Sequence, residues 1–240
     1  MRILVVNVNT TESITASIEA SARAAASPGT EIIALTPAFG AESCEGNVES
    51  YLAAVGVLDR VLKYEGPYDA VVQAGFGEHG REGLQEALNV PVVDITEAAA
   101  IVAGLIGHKF GVITTLDRTV PLIEDRLLLA GLDRRCAAVV GSGLGVLELE
   151  EDHERAVATI VAKAKEVIEV FGAEAICLGC GAMAGLDKAV AEATAAPVVD
   201  GVAAAVTLAE GLVRMGLATS KVRTYAPAHT KRLTGWPLPG

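Results

Sequence analysis

Short apolar runs alternate with longer amphipathic segments along the whole chain. The apolar runs predict strands at residues 2–6, 30–35, 70–74, 92–93, 109–114, 136–140, 175–178 and 198–199. Apolar residues at helical spacing predict helices at residues 12–26, 47–63, 82–88, 97–106, 120–130, 151–170, 185–193 and 201–215. Strands that each lead into a helix are typical of an α/β fold with parallel sheets, and we predict that class.

The pattern also repeats, which indicates two related lobes. The run ending at Gly75 leads to Pro-Val-Val-Asp at residues 91–94, and the run ending at Cys180 leads to the same four residues at 197–200. We predict two pseudo-symmetric α/β lobes, each a mostly parallel sheet flanked by helices. The expected lobes are residues 1–105 and 106–205, with residues 206–240 packing back onto the first. Strand-end turns build the sites of such folds, so the active site is expected in the interlobe cleft.

Charge and composition indicate which kinds of molecule the protein binds. The formal net charge is −11 and no Lys/Arg cluster stands out, which disfavours nucleic acid. No apolar run reaches the length of about 18 residues that a membrane span needs, and a strand follows Met1 directly, so we expect no membrane contact and a cytoplasmic location. We expect a small-molecule substrate and a homo-oligomer. The irregular segment 221–240, with the single Trp, is either a surface tail or an oligomer contact.

Cys180 is the strongest candidate for chemistry. It follows an apolar strand, lies between Gly179 and Gly181, and precedes a predicted helix. Backbone N–H groups at a helix start favour the thiolate, so we expect a lowered thiol pKa there. A structural role in packing is the alternative.

The other cysteines give weaker signals. Cys177 forms Cys-x-x-Cys with Cys180, but it falls inside the strand, which disfavours a redox or metal pair. Cys44 and Cys136 are expected to be small packing residues, with Cys44 partly exposed in a polar loop. The irregular spacing of the four cysteines does not predict a disulfide framework or a metal site, and we expect no metal and no other cofactor.

Polar residues follow the first strand of each lobe. Asn9 and Thr10 follow the opening strand, and Thr114 and Thr115 end its repeat partner. Their amide and hydroxyl groups are suited to holding a carboxylate or a planar carbonyl–amide group, although simple helix capping would also explain them.

Two titratable residues follow Gly75 closely. Glu78 and His79 are both candidates for acid/base work near the cleft. An acidic residue at a helix N-terminus is the plain structural explanation for Glu78.

These motifs together resemble the aspartate/glutamate/hydantoin racemase superfamily, and most closely the hydantoin racemases. The resemblance rests on the opening Met-Arg-Ile-Leu-Val-Val-Asn-Val-Asn-Thr, on Leu-Gly-Cys-Gly-Ala-Met at 178–183, and on Pro-Val-Val-Asp at 197–200. It spans nearly the whole chain. It implies two pseudo-symmetric lobes and a cofactor-independent isomerase that acts on 5-substituted hydantoins or related amino-acid derivatives.

The resemblance also implies the roles of individual residues. Two cysteines face each other across the substrate in this family, one removing the Cα proton and the other returning it. Cys180 matches the second cysteine, whereas Gly75 stands where the first is expected. His79, Glu78 or a held water would then replace the missing group. From the strand ends and the two glycine-rich turns, we expect the substrate-binding residues to be Asn9, Thr10, Phe76, Gly77, Thr114, Thr115, Gly179, Gly181 and Ala182.

The sequence is also compatible with two other functions. Arylmalonate decarboxylases of the same superfamily also have glycine at the first position, and one thiol suffices to protonate the carbanion that loss of CO₂ leaves. The residues Phe76, Gly77 and Glu78 after the glycine fit a hydantoin-type site better than that setting. The third possibility is a binding protein that keeps the cleft without turnover.

Overall fold

The chain contains two four-stranded parallel sheets with the same strand order. The computed structural model describes residues 1–227 together with residues 229, 232 and 234. The first sheet, in the order β2-β1-β3-β4, consists of β1 (Arg2–Val6), β2 (Glu31–Leu35), β3 (Ala70–Gln73) and β4 (Val92–Asp94). The second, in the order β6-β5-β7-β8, consists of β5 (Phe110–Thr114), β6 (Cys136–Gly141), β7 (Ala175–Leu178) and β8 (Val198–Asp200). The predicted two-lobed α/β fold is confirmed.

Helices follow the strands as the alternating pattern predicts. They are α1 (Glu12–Ala25), α2 (Asn47–Leu62), α3 (Arg81–Ala87), α4 (Ile95–Ile106), α5 (Val120–Leu129), α6 (Glu148–Glu151), α7 (His153–Phe171), α8 (Asp187–Thr194) and α9 (Gly201–Arg214). The single helix predicted at 151–170 is wrong at its start. A short α6 comes first, and α7 begins afresh because the Asp152 carboxylate caps it by accepting from Arg155 N.

The helix predicted at 185–193 also begins later, at Asp187. Gly185 has φ +84°, a left-handed conformation that belongs to a turn and not to a right-handed helix.

The repeated Pro-Val-Val-Asp motif has a physical explanation. Asp94 ends β4 and caps α4, its carboxylate accepting hydrogen bonds from Thr96 N and Glu97 N. Asp200 ends β8 and caps α9 in the same way. A carboxylate at this point satisfies backbone N–H groups that have no partner within the helix. The motif therefore starts one helix in each half at the end of a buried strand.

The buried core runs continuously between the two sheets. Strands β1, β3 and β7 are almost wholly buried. Helices α4 and α9 pack on each other, with α9 also against β3 of the first sheet and α4 against β7 of the second. Helix α9 also contacts α1 of the first half. Thr219 and Lys221 donate hydrogen bonds to the carbonyls of Val90 and Gln85, so this part of the C-terminal segment also lies on the first half.

The domain boundaries at 105/106 and 205/206 stay a prediction, and Trp236 lies outside the described residues. Within the described part of the chain, no helix is both long and apolar enough to cross a membrane.

Candidate functional site

A narrow cavity lies at the carboxyl ends of β1, β3 and β7, where the two halves meet. Its volume is about 30 Å³. The first half contributes Asn7, Val8, Asn9, Ile14, Cys44, Ala74, Gly75, Phe76 and His79, and the second contributes Val146, Cys180, Gly181 and Ala182. The structure thus brings together the predicted residues Cys180, Gly75, His79, Asn9, Phe76, Gly181 and Ala182.

The remaining predicted residues do not line this cavity, and most of them have structural contacts. They are Glu78, Thr10, Gly77, Thr114, Thr115 and Gly179. Gly77 N donates to Thr96 Oγ1 at 2.8 Å, and Gly179 N donates to Ile113 O at 2.7 Å. These two backbone N–H groups are therefore already used within the protein.

Cys180 lies two residues beyond the end of β7, in extended backbone with φ −158°. Only a three-residue 3-10 turn, Gly181–Met183, follows it. Burial raises the pKa of the Cys180 thiol to about 11 and outweighs the hydrogen bond from the backbone of Ala182. The lowered pKa predicted from the sequence is therefore wrong, because the short turn supplies little helix dipole while desolvation acts in full.

Gly75 occupies its position for reasons of space. A Cβ built on it would clash with Val8 Cγ1 and would lie 2.7 Å from Gln73 Nε2 and 2.9 Å from His79 Nδ1. Its φ is outside the left-handed region, so the backbone itself does not require glycine. The side chains of three neighbours fill the space that a larger residue would need.

His79 is buried against the cavity, with only 5% of its surface exposed. Its Nδ1 has no hydrogen-bond partner among the described residues. Burial lowers the pKa of His79 to about 4, so the imidazole is neutral at pH 7. The neutral ring can accept a hydrogen bond from a ligand at Nδ1.

Asn9 presents a fixed carboxamide to the same space. Its Oδ1 accepts from Asn7 Nδ2 at 2.9 Å and from Thr11 N at 3.0 Å, which fixes the orientation of the amide. In the part of the chain that is described, Asn9 Nδ2 donates to no protein group, so it remains available to a ligand.

Comparison with known proteins identifies the family. The model of the Asp/Glu/hydantoin racemase family matches residues 3–209. The chain belongs to this family. A hydantoin racemase from Rhizobium meliloti is 39% identical over 236 residues, which cover 98% of each protein. The family resemblance seen in the sequence is confirmed, and the chain is an isomerase of the racemase type.

Solved structures agree with this assignment. An allantoin racemase from Pseudomonas fluorescens is 67% identical, with a TM-score of 0.97 and coverage of 98% of this chain and 100% of that chain. An allantoin racemase from Klebsiella pneumoniae is 39% identical, with a TM-score of 0.95 and coverage of 98% and 96%.

The racemase fold brings a second thiol to the cavity that sequence reasoning assigned to packing. Cys44 lies in the loop between β2 and α2, with its Sγ 3.5 Å from Val8 O. Burial raises the pKa of Cys44 to about 12, and the charge of a Cys180 thiolate adds to the rise. The sequence did contain one indication of this. The loop that carries Cys44 follows the end of β2, which lies in the same sheet as β3, the strand before Gly75.

Glu78 belongs to an ion-pair network beside the cavity. Arg126 on α5 donates to Glu78 at 3.1 Å, to Glu82 at 2.7 Å and to Asp94 at 3.1 Å, and so joins the second half to the first. The side chain of Glu78 is 46% exposed. Sequence reasoning missed Arg126, because nothing in its helix marks it as buried.

The other cysteines stay outside the cavity. Cys177 is buried in β7, and Cys136 begins β6 and is half-buried; both are free thiols. Among the described residues, no group of three or more His, Cys, Asp or Glu side chains is placed to hold a metal ion.

Proposed function

We propose that this chain racemises 5-substituted hydantoins or related amino-acid derivatives, without a cofactor, by removing and returning the proton on Cα. The observation that carries the proposal is the Cys180 thiol on the wall of a cavity that also presents the carboxamide of Asn9. Relatives named for hydantoin and for allantoin support the substrate class, since allantoin is itself a 5-substituted hydantoin.

The proposed chemistry begins with proton abstraction. The Cys180 thiolate takes the Cα proton, an S–H bond forms, and the electron pair of the C–H bond moves onto the neighbouring carbonyl as an enolate. Asn9 Nδ2 donates a hydrogen bond to the enolate oxygen. A donor already held in place costs no reorganisation as the charge develops, which is the basis of oxyanion stabilisation.

His79 supports a substrate with ring N–H groups. Its buried, unpartnered Nδ1 is an acceptor that a hydantoin N–H would satisfy. Leaving a buried polar atom unpaired costs about 1–3 kcal/mol, so this contact would favour a hydantoin over a ring that lacks the donor.

Substrate entry requires the cavity to widen. Its volume of about 30 Å³ is far below the roughly 300 Å³ at which small-molecule pockets begin. Glu45 Oε1 accepts a hydrogen bond from Val146 N at 2.6 Å, and this contact joins the two halves at Val146, which lines the cavity. We infer that it breaks to admit substrate and re-forms around it.

A malonate-type decarboxylase is the second candidate. Gly75 supplies no acid or base, and decarboxylation would need only Cys180 as proton donor. A binding protein without turnover is the third.

One assay in D₂O separates the three functions. Each enantiomer of allantoin and of 5-benzylhydantoin is followed by circular dichroism and by ¹H NMR, and an arylmalonate is followed by CO₂ release. We expect loss of optical activity with deuterium entering Cα. Cys180→Ala should lower the rate by more than about tenfold, or about 1.4 kcal/mol of barrier. Binding without exchange, or CO₂ release alone, would reject the racemase.

A further inference from the structure

Racemisation needs proton transfer on both faces of Cα, and Gly75 leaves one face without a group. Among the described residues that line the cavity, only Cys44, His79 and Cys180 have titratable side chains. The second acid/base group on the protein is therefore Cys44 or His79.

We propose that Cys44 is this second group, and that it replaces the acid/base residue absent at Gly75. The inference rests on the proposed racemisation. Cys44 belongs to the first half of the chain and Cys180 to the second, so the two thiols reach the one cavity from different halves. The pair would then be a thiol and a thiolate on opposite sides of the reacting carbon.

On the side of the cavity formed by the first half, Gly75 and Cys44 both lie next to Val8. Val8 Cγ1 fills the space that a side chain at Gly75 would enter. Cys44 Sγ lies 3.5 Å from the carbonyl oxygen of the same Val8. A larger residue at position 75 would thus have to move the residue on which Cys44 rests.

The loop that carries Cys44 is held on both sides. Before it, Thr10 N donates to Ala41 O at 3.0 Å, and Thr11 Oγ1 donates to Glu42 O at 2.8 Å. After it, Glu45 bonds to Val146 of the opposite half. Glu45, the next residue after Cys44, thus fixes this end of the loop to the second half. Catalytic groups need such fixed placement.

A second observation indicates that this cavity takes a polar ligand. Only 5% of the surface of His79 is exposed, and its Nδ1 has no hydrogen-bond partner among the described residues. His79 is itself a poor proton donor, because burial opposes the imidazolium that would have to give the proton, whereas Cys44 carries its proton as a neutral thiol. We assign it to binding a ring N–H.

The cycle balances with the two thiols alone. For one enantiomer, the Cys180 thiolate takes the Cα proton, and the Cys44 S–H gives its proton to the opposite face of the enolate. This leaves Cys180 as the thiol and Cys44 as the thiolate, which is the state that accepts the other enantiomer. No oxidant, reductant or further reactant is required.

The test separates the two faces. Wild type, Cys44→Ala and Cys44→Ser are assayed in D₂O with each pure enantiomer of allantoin. We expect racemisation to fall by about 100-fold or more, the contribution typical of an acid/base group. One enantiomer should still exchange its Cα proton with retention through Cys180. Cys180→Ala should show the opposite enantiomeric preference.

Cys136→Ala is the matched control. Burial also raises the pKa of Cys136 to about 12, but Cys136 does not line the cavity. This variant should racemise at the wild-type rate. Serine at position 44 keeps the size of the side chain, so a loss in both Cys44 variants with an unchanged far-UV spectrum is not a folding defect.

The other results each have a definite meaning. Racemisation in Cys44→Ala within about twofold of Cys136→Ala overturns the role of Cys44. If Cys180→Ala still abolishes turnover in that case, the proposed function stands. The role of Cys44 is also overturned if Cys44→Ala loses Cα exchange equally for both enantiomers. The same holds if His79→Gln, and not Cys44→Ala, keeps exchange for one enantiomer only. Wild type inactive on every hydantoin would reject the proposed function itself.

Discussion

Arg126 Nη2 lies 3.1 Å from Asp94 Oδ2, and the two side chains are only 3% and 1% exposed. The pair joins α5 of the second half to the strand end that caps α4 in the first. Since the other carboxylate oxygen of Asp94 accepts from Thr96 N and Glu97 N, one residue connects a helix start to the opposite half. This buried pair therefore holds the halves together close to the cavity.

Arg126→Ala is expected to destabilise the fold strongly. It removes the more deeply buried of two cations, so Asp94 keeps only Arg81, whose Nε lies 3.3 Å from Asp94 Oδ2. Glu82 and Glu97 each lose one of their two arginine partners. Removing one partner of a buried pair costs about 3–5 kcal/mol. Urea unfolding measures the free energy. Arg2→Ala is the control, since the Arg2–Glu31 pair is exposed and solvent screening leaves it little effect on stability. Equal losses in the two variants would contradict the argument.

The pH dependence of turnover follows from the raised pKa of Cys180, about 11. The thiolate is the base, so its fraction should grow about tenfold for each pH unit below that value. We expect log kcat/KM to rise with a slope near one between about pH 7 and 9.5. Initial rates with one allantoin enantiomer measure it. A flat profile in that range, with the chain still folded by circular dichroism, would mean that another group removes the proton.

The fold could be predicted from the sequence because each buried strand is a short apolar run with a polar end. The Pro-Val-Val-Asp repeat indicated two related halves, and the structure shows that its two aspartates, Asp94 and Asp200, are equivalent helix caps. Other helix caps were less visible, since the Asp152 carboxylate starts α7 by accepting a hydrogen bond from Arg155 N, which no periodicity reveals.

Some residues that line the candidate cavity could be predicted for the same reason. Cys180, Asn9 and His79 follow strand ends, and position in the strand order is readable from sequence. Cys44 was assigned to packing because its place depends on how the loop from Ala41 to Glu45 folds over the cavity. Arg126 was missed because burial of a charge is decided by partners that are distant in sequence.

Turnover is expected to survive removal of metal ions. The described residues offer no cluster of three or more metal-ligating side chains, and the proposed cycle uses thiols alone. The protein would be dialysed against EDTA, assayed, and assayed again with added Mn²⁺, Zn²⁺ or Mg²⁺. Unchanged racemisation is the expected result. Activity lost on dialysis and restored by one metal would reject the cofactor-independent mechanism.

Gly75→Cys tests whether position 75 faces the reacting carbon. The family resemblance predicts that a thiol there would face Cys180 and raise racemisation. The structure adds a steric condition, because the new Cβ would clash with Val8. We therefore expect the single variant to lose about 1–3 kcal/mol of stability from overpacking. Gly75→Ala is the matched control, with the same Cβ and no thiol.

The double variant Val8→Ala/Gly75→Cys removes the closest of the three clashes, the one with Val8, and leaves Gln73 and His79 to shift. It should be more stable than Gly75→Cys alone and should racemise faster than Val8→Ala/Gly75→Ala. Adding Cys44→Ala to the double variant distinguishes the two positions, because a thiol at 75 would make Cys44 dispensable. Chiral chromatography of each pure enantiomer gives the rates. If the double variant folds normally and its inversion rate does not exceed that of the alanine control, position 75 does not face the substrate.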